Sequence, residues 1–340
     1  MPRLYAIILI VTLLGVSLLS LANGAMAIAW SDVLSIVSAE LGLGQDPAIN
    51  RGQQGVLMSI RFPRTLLAIL VGGGLSVAGA LMQGLFRNPL ADPGLLGVSS
   101  GAALGAALII VLGASLGLSG VWVLPVAAFV GAVVSTVCVM QLSSVGSKTV
   151  VANMLLAGIA INAIAGAGTG FLVYLADDDQ LRDLTFWTLG SFGGASWSDV
   201  RLGLVLIALP TAIALMLSRS LNVMLLGESA AYMLGVHIQR LKQIIVVLVC
   251  VVVGCSVALS GMIGFVGLVV PHLCRLIFGP DNRKVVPSSL LLGATLLLGA
   301  DLVSRLVIIP AELPIGIVTS IIGGPFFLAL LSTNRKKGLW

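Results

Sequence analysis

Charged side chains are scarce in this sequence. Asp, Glu, Lys and Arg make up 9% of its 340 residues, whereas a soluble domain carries about 25%. A chain with so few charges cannot cover the surface of a water-soluble fold of this size, and its mean hydropathy is +1.14. The composition therefore predicts an integral membrane protein. The net charge is +5, and because the Lys and Arg residues lie mostly in short loops, we interpret them as residues that orient the protein in the membrane rather than as a nucleic-acid-binding surface.

Groups that carry catalysis or bind metals are also few. The two histidines, His237 and His272, are far apart, and no Gly-Lys dipeptide occurs, which excludes a Walker-type phosphate loop. The cysteines lie in apolar runs without metal-ligand spacing, at Cys138, Cys250, Cys255 and Cys274. The predicted spans hold few of the carboxylates that ion-coupled carriers keep on their pathway. We therefore expect no catalytic residue, no metal site and no cofactor in this chain, and an energy source outside it.

Long apolar runs dominate what is present. A helix that crosses the hydrocarbon core needs about 20 apolar residues. The runs predict an all-α polytopic membrane protein with about ten spans in a single domain, residues 1–340, near 4–23, 64–84, 95–113, 121–142, 150–173, 198–218, 240–260, 263–278, 287–308 and 313–332. The eighth run is short and follows a glycine-rich break, with interrupted backbone at Gly261, Gly264 and Gly267, so nine spans is the alternative. Other helices must shield this interrupted backbone, because lipid cannot satisfy its polar groups.

The distribution of positive charges predicts the orientation. With an even number of spans both termini share one side, and 12 of the 18 Lys and Arg residues then fall on that side. Positive residues accumulate in cytoplasmic loops, so both termini are predicted to be cytoplasmic. In the first outer loop, apolar residues recur at helical spacing from Ala29 to Leu43, and we expect a short surface helix there with Ser31 as its N-cap.

Several segments interrupt the apolar pattern with glycine, proline and polar residues. In chain order they read RFPR (61–64), QGLFRNPLADPG (83–94), LGVSSG (96–101), LAGIAIN (156–162), FWTLGS (186–191), GFVGLVVPH (264–272), LPIGIVT (313–319) and GGPFF (323–327). Together, at this spacing, they resemble the FecCD family of permeases, which serve type II ABC importers of vitamin B12, ferric siderophores and haem. The resemblance extends from about residue 56 to 332.

The resemblance implies a complete importer around this chain. It predicts the type II ABC importer permease fold in the bacterial inner membrane, with a second copy of the chain as a homodimer. The expected partners are two ATP-binding-cassette ATPase subunits, which bind ATP and magnesium, and a periplasmic substrate-binding protein. The chain itself is then not an enzyme, and its other contacts are with the lipid bilayer.

The resemblance also implies three groups of site residues. Residues 221–237 resemble the segment that couples the permease to the ATPase, with Leu225, Gly227, Glu228, Ala230, Ala231, Leu234 and Gly235 as the contact residues. Within it, Ala230, Ala231 and Leu234 are expected to offer a compact apolar face. The arginines expected to hold acidic residues of the binding protein are Arg61, Arg64 and Arg305, although Asp301 lies four residues before Arg305 and can pair with it instead. The gate and pathway residues are Asn88, Leu90, Ser147, Thr149, Met154, Leu155, Ile159 and Asn162, of which Asn162 can instead be satisfied within the core.

The cargo is the least constrained prediction. The outer run at residues 174–187, YLADDDQLRDLTFW, resembles the haem-permease branch of the family, and an apolar pathway suits a porphyrin. We therefore predict haem, with a ferric siderophore or cobalamin as alternatives. An ion-coupled secondary transporter and a membrane-embedded enzyme are the alternatives from other classes, and both would need clustered ionisable residues that the sequence lacks.

Overall fold

The computed structural model describes residues 3–26, 28–40, 42, 50–146 and 148–336, and this part of the chain is almost entirely helical. Its helices are α1 (Arg3–Ala22), α2 (Trp30–Glu40), α3 (Arg51–Gly55), α4 (Phe62–Phe86), α5 (Val98–Leu112), α6 (Val123–Leu142), α7 (Val151–Leu175), α8 (Asp178–Leu189), α9 (Trp197–Gly203), α10 (Leu209–Met216), α11 (Ser218–Met224), α12 (Glu228–Met233), α13 (Ile238–Ser260), α14 (Val266–Phe278), α15 (Asn282–Leu306) and α16 (Ile315–Lys336).

Short irregular segments complete the architecture. Two π-helical turns, Val56–Arg61 and Leu204–Ala208, join α3 to α4 and α9 to α10, and a 3₁₀ turn, Pro93–Leu96, precedes α5. Between α6 and α7, strand β1 (Ser144–Val145) pairs antiparallel with strand β2 (Lys148–Thr149). The fold is thus the all-α polytopic arrangement predicted from the sequence.

Every predicted span range contains a helix. Within the described residues, seven helical stretches are long and apolar enough to cross a membrane, judged by length and composition. Shorter apolar helices occupy the three other ranges, at Val98–Leu112, Val266–Phe278 and Ile315–Leu330. The exact ranges that cross the membrane stay a prediction. In the eighth predicted range the helix is α14, which begins at Val266, three residues later than expected.

The break before α14 has the shielding that its backbone requires. Gly261 lies so close to α8 that a Cβ on it would fall 2.2 Å from the carbonyl oxygen of Trp187. The N–H of Ser191 donates to the carbonyl of Ser260 over 2.8 Å. The segment after α8 therefore covers the interrupted backbone, which keeps its polar groups away from lipid.

The core forms around α4, which is buried along almost its whole length and packs against α13, α14 and α15. Two of its glycines set these close approaches. A Cβ on Gly79 would lie 1.6 Å from the carbonyl oxygen of Gly267 in α14, and one on Gly72 would lie 2.5 Å from that of Gly293 in α15. Small residues let the helix backbones touch, as is usual where lipid supplies no hydrophobic drive for association.

The surface helix predicted in the first outer loop is present as α2. It begins at Trp30, so Ser31 lies inside the first turn, and the prediction that Ser31 is the N-cap is wrong. The Ser31 hydroxyl donates instead to the Asp32 carboxylate over 3.2 Å. Val33 and Ile36 are buried against the end of α1, which fixes α2 on the bundle. Leu43, at the predicted end, lies outside the described residues.

Candidate coupling, gate and docking sites

The predicted coupling segment forms two short helices, α11 and α12, with a reversal between them. Gly227 makes this reversal with φ +102°, a conformation that side chains disfavour. Ala231 is fully buried and Ala230 is half-buried, so of the three residues predicted to form a compact apolar face only Leu234 is exposed, and the contact roles stay a prediction.

The coupling segment does have an exposed apolar face, but residues other than Ala230 and Ala231 form most of it. Met233 is 85% exposed and Leu234 is 63% exposed, and Leu225 and Tyr232 are exposed beside them. Sequence reasoning missed Tyr232 and Met233, although the run LLGESAAYML at 225–234 shows them between the predicted contact residues. Exposed apolar side chains grouped in this way mark a surface that contacts another protein or the membrane.

A buried lysine holds α12 against the start of α13. The Nζ atom of Lys242 lies 2.8 Å from Oε1 of Glu228 and donates to Oε2 over 3.0 Å. The same ammonium donates to the carbonyl of Thr149 over 3.0 Å, although the Lys242 side chain is only 2% exposed. Sequence analysis placed Lys242 only among the cytoplasmic charges, since its partners are 14 and 93 residues away.

Helix α11 is anchored to the start of α15 by paired side-chain contacts. Asn222 donates to the Asp281 carboxylate over 2.5 Å and accepts from the N–H of Asn282 over 2.7 Å. The hydrogen bond from Asn222, together with the bond from the N–H of Arg283 and the charges of Arg283 and Lys284, lowers the pKa of Asp281. The carboxylate stays ionised and caps α15, because it also accepts from the backbone of Arg283.

The contacts continue from Asn282 towards the centre of the bundle. Arg275 of α14 donates to Oδ1 of Asn282 over 3.1 Å and to Oε1 of Gln83 over 3.2 Å. Gln83 in turn donates to the carbonyl of Leu268 over 3.1 Å. Side-chain hydrogen bonds therefore link the coupling segment to Gln83 of α4, five residues before the predicted gate residue Asn88.

The predicted gate residues lie on two loops beside α13. Asn88 and Leu90 are exposed, and Oδ1 of Asn88 accepts from the N–H of Leu90 over 2.9 Å, which closes a tight turn. Thr149 is buried in β2, next to Lys242. Ser147 lies outside the described residues.

The predicted pathway residues of α7 do not share one face. Met154 is fully buried inside the protomer, so the structure does not bring it to a surface, whereas Ile159 is exposed and Leu155 is half-buried. Asn162 donates to the carbonyl of Gly94 over 3.1 Å and accepts from the hydroxyl of Ser100. Asn162 thus ties α7 to the 3₁₀ turn, which is the core role left open by the sequence.

The three predicted docking arginines are buried, and their guanidinium groups already have partners in this chain. Arg61 donates to the carbonyls of Leu21 and Ala22 over 2.6 and 2.9 Å, and to that of Met26. The carbonyls of Leu21 and Ala22 lie at the end of α1, where helical hydrogen bonding stops, and Met26 lies in the loop just beyond it. Arg61 therefore binds the α1 terminus to the start of α4, and its docking role stays a prediction.

Arg64 and Arg305 share the carboxylate of Asp301. Nη2 of Arg64 lies 2.8 Å from Oδ1, and Nε of Arg305 lies 3.1 Å from Oδ2. The pairing of Arg305 with Asp301 considered from the sequence is therefore present. Arg64 also contacts the exposed carboxylate of Glu312 at 2.9 Å, and Arg305 donates to the hydroxyl of Ser20 over 2.7 Å. Within the group formed by Arg64, Arg305, Asp301 and Glu312, two positive charges therefore face two negative charges.

Comparisons with known proteins agree with these features. The profile of the FecCD transport family matches residues 9–333. The hemin transport system permease protein HmuU of Yersinia pestis is 43% identical over 338 residues, which cover 99% of this chain and 97% of that protein. The vitamin B12 import system permease protein BtuC of Klebsiella pneumoniae is 39% identical over 306 residues, covering 90% and 91%.

A solved structure has the same fold. It shows an inward-facing conformation of a metal-chelate type ABC transporter, and it superposes with a TM-score of 0.85 at 32% identity over 98% of this chain and 100% of that chain. The match includes the helices that carry the coupling segment, the gate loops and the buried arginines. This multi-pass membrane protein therefore belongs to the FecCD transport family and is a permease of an ABC importer.

Proposed function

We propose that this chain carries haem across the bacterial inner membrane as the permease subunit of an ABC importer. Two copies of the chain form the pathway, with both termini in the cytoplasm. Two ATPase subunits bind ATP and magnesium and supply the energy, and a periplasmic binding protein delivers the cargo. The chain contributes no catalytic residue and no cofactor of its own.

One observation carries the choice of cargo. A relative that matches almost the full length of both chains, at 43% identity, is a hemin permease. The outer helix α8 and the residues before it, which resemble the haem branch in sequence, form an exposed acidic N-terminal turn with Asp177 as its cap. The sequence of this region and the full-length similarity both support haem.

The coupling segment supports the proposed energy source. Its exposed apolar face, with Met233 and Leu234, needs a protein partner, and Glu228 ties that face to the interior of the bundle through Lys242. An ATPase subunit bound at this face would be in direct contact with the helix that connects to the gate loops. An ion-coupled carrier would have no need of such a surface.

The cargo test uses the complete complex reconstituted in liposomes. Its own binding protein is supplied on the side of the membrane that corresponds to the periplasm. ATP-driven accumulation of haem, a ferric siderophore and cobalamin is measured at equal concentration. We expect haem to accumulate, with inhibition by vanadate and no accumulation under a proton or sodium gradient alone. Preferential uptake of another cargo would overturn the haem proposal, and gradient-driven uptake without ATP would overturn the importer proposal.

Cobalamin is the second candidate, favoured by the 39% identity to the Klebsiella permease over 90% of this chain. The two cargoes differ in bulk and polarity, so competition separates them clearly. If haem is the cargo, a large excess of cobalamin should leave haem uptake unchanged.

We further propose that the binding protein docks over the outer ends of α1, α4 and α15, where Arg61, Arg64 and Arg305 lie. Arginine contacts to carboxylates set register and association rate at such interfaces. Arg61→Glu is expected to weaken docking, and reversal of one matching acidic residue on the binding protein is expected to restore it. Arg201→Glu, at an exposed outer arginine, is the control. If no reversal on the binding protein restores docking, these arginines have only the internal role described above.

A further inference from the structure

Thr149 is held by α13 through both of its backbone polar groups. Its N–H donates to Oε1 of Gln239 over 2.9 Å, and its carbonyl accepts from Nζ of Lys242 over 3.0 Å. Thr149 lies in β2, opposite Ser144 of β1, and α7 begins two residues later at Val151. The first turn of α13 therefore fixes both the hairpin between α6 and α7 and the start of α7.

The same lysine also holds the coupling helix. Both carboxylate oxygens of Glu228 lie within 3.0 Å of the Lys242 ammonium, and Glu228 is the first residue of α12. The side chain of Glu228 is partly open to water, whereas that of Lys242 is almost completely enclosed. One ammonium group thus joins three elements: the coupling helix, α13 and the hairpin.

The chemistry of a buried lysine makes this junction stiff. An ammonium group removed from water is stable only where carboxylates and carbonyls occupy its donors. If α12 moved and left α13 behind, Lys242 would keep a buried charge with only the Thr149 carbonyl beside it. Movement of α12 therefore favours a joint movement of α13 and β2, in which the three contacts persist.

We propose that Lys242 is a positioning residue that transmits displacement of α12 to the hairpin of β1 and β2 and to the start of α7. This inference rests on the proposed function, in which an ATPase subunit displaces α12. A cleft of about 620 Å³ lies beside the junction, lined in part by Lys148, Glu228 and Gln239.

The test compares uptake per ATP hydrolysed in the reconstituted complex. Lys242→Met keeps the length of the side chain and removes the ammonium, and Lys242→Arg keeps a charged donor. Gln239→Leu removes the hydrogen bond that the Thr149 N–H donates, without leaving a buried charge. Arg51→Met, which removes a cation from an exposed side chain at the start of α3, is the control.

We expect Lys242→Met to assemble with the ATPase and to hydrolyse ATP, while uptake per ATP falls about tenfold, within the usual range of coupling between sites. Lys242→Arg should recover most of this loss, and Arg51→Met should behave as wild type. Adding Glu228→Gln to Lys242→Met should cause no further loss, since both changes remove one link.

Wild-type uptake per ATP in Lys242→Met, or a loss that is fully additive with Glu228→Gln, would overturn the proposal. If Lys242→Met does not assemble, Glu228→Gln decides, because it removes the charge that ties α12 to Lys242, and normal coupling in that variant would overturn the proposal. Gln239→Leu leaves the Lys242 contacts in place and should lower uptake per ATP less than Lys242→Met. Failure of the proposed function is distinguishable, because the wild-type complex would then show no ATP-driven uptake at all.

Discussion

Arg64 and Asp301 form a two-point ion pair across the interface of α4 and α15. Nη2 and Nε of Arg64 lie 2.8 and 3.0 Å from Oδ1 of Asp301, whose side chain has no exposed surface. Arg305 binds the other oxygen of the same carboxylate and reaches Ser20 in α1. A single aspartate therefore connects three helices, and its charge is required by two buried arginines.

Replacing Asp301 by Asn is expected to destabilise the protein strongly. The change keeps the shape of the side chain but leaves two guanidinium groups without their shared counter-ion. Removing one partner of a buried ion pair costs about 3–5 kcal/mol. Thermal unfolding of the purified permease in detergent measures this loss as a lower unfolding temperature.

Glu312→Gln is the matched control for this measurement. Glu312 binds the same Arg64 guanidinium at 2.9 Å, but its side chain is 42% exposed, so water screens the pair. Exposed pairs contribute about 0–1 kcal/mol. Equal losses from the two substitutions would show that burial does not decide the strength of these contacts.

Gly79 is predicted to tolerate no side chain at all. A methyl group there would meet the backbone of Gly267 at 1.6 Å, so α4 and α14 would have to separate. Overpacking of this kind costs about 1–3 kcal/mol or more, and we expect Gly79→Ala to lower the yield of folded protein in membranes. Gly166→Ala on α7 has open space around it and should be neutral or slightly stabilising.

The helical framework follows from the sequence because apolar length is a local property. Ten apolar runs predicted ten helical regions, and Gly261 and Gly264 marked the break before α14. The start of α14 was predicted three residues early, because the apolar residues before Val266 do not reveal that Phe265 has a left-handed backbone with φ 68°. The local apolar pattern therefore predicts which segments are helical, but it does not predict the exact residue at which α14 begins.

The roles of the polar residues did not follow from the sequence, because they depend on contacts between distant segments. Arg61 is 40 residues from the α1 carbonyl of Leu21, and Lys242 is 93 residues from Thr149. A count of charges by side of the membrane assigned Arg61 to the outer side and Lys242 to the cytoplasmic side, and this orientation stays a prediction. The count contained no information about which backbone or carboxylate oxygens would surround them.

The hydrogen bond between Asn222 and Asp281 predicts that the stability of the folded protein depends on pH. The hydrogen bond from Asn222 lowers the pKa of Asp281, so its contribution to stability is fully present above the ordinary aspartate pKa. It is lost as the pH falls through the lowered pKa in the folded protein. Asp281→Asn, which mimics the neutral form but can still cap α15, should reduce the unfolding temperature at neutral pH.

The difference between wild type and Asp281→Asn should shrink as the pH falls below about 4 and vanish once the wild-type carboxyl is protonated. Scanning fluorimetry at several pH values measures it directly. A difference that stays constant over this range would show that the charge of Asp281 does not stabilise the link between α11 and α15.

The exposed face of α12 can be tested against an equally exposed leucine elsewhere. Leu234 and Leu116 are both 63% exposed, and Leu116 lies in the connection between α5 and α6, on the predicted outer side. Arginine at either position disturbs little of the permease interior, since both side chains already face outward.

Leu234→Arg should lose co-purification of the ATPase subunit, because a charge replaces an apolar contact in the exposed face. Leu116→Arg should retain it. Because the two changes are chemically identical and equally exposed, a selective loss with Leu234→Arg would assign the ATPase contact to α12, whereas retention in both variants would remove α12 from that interface.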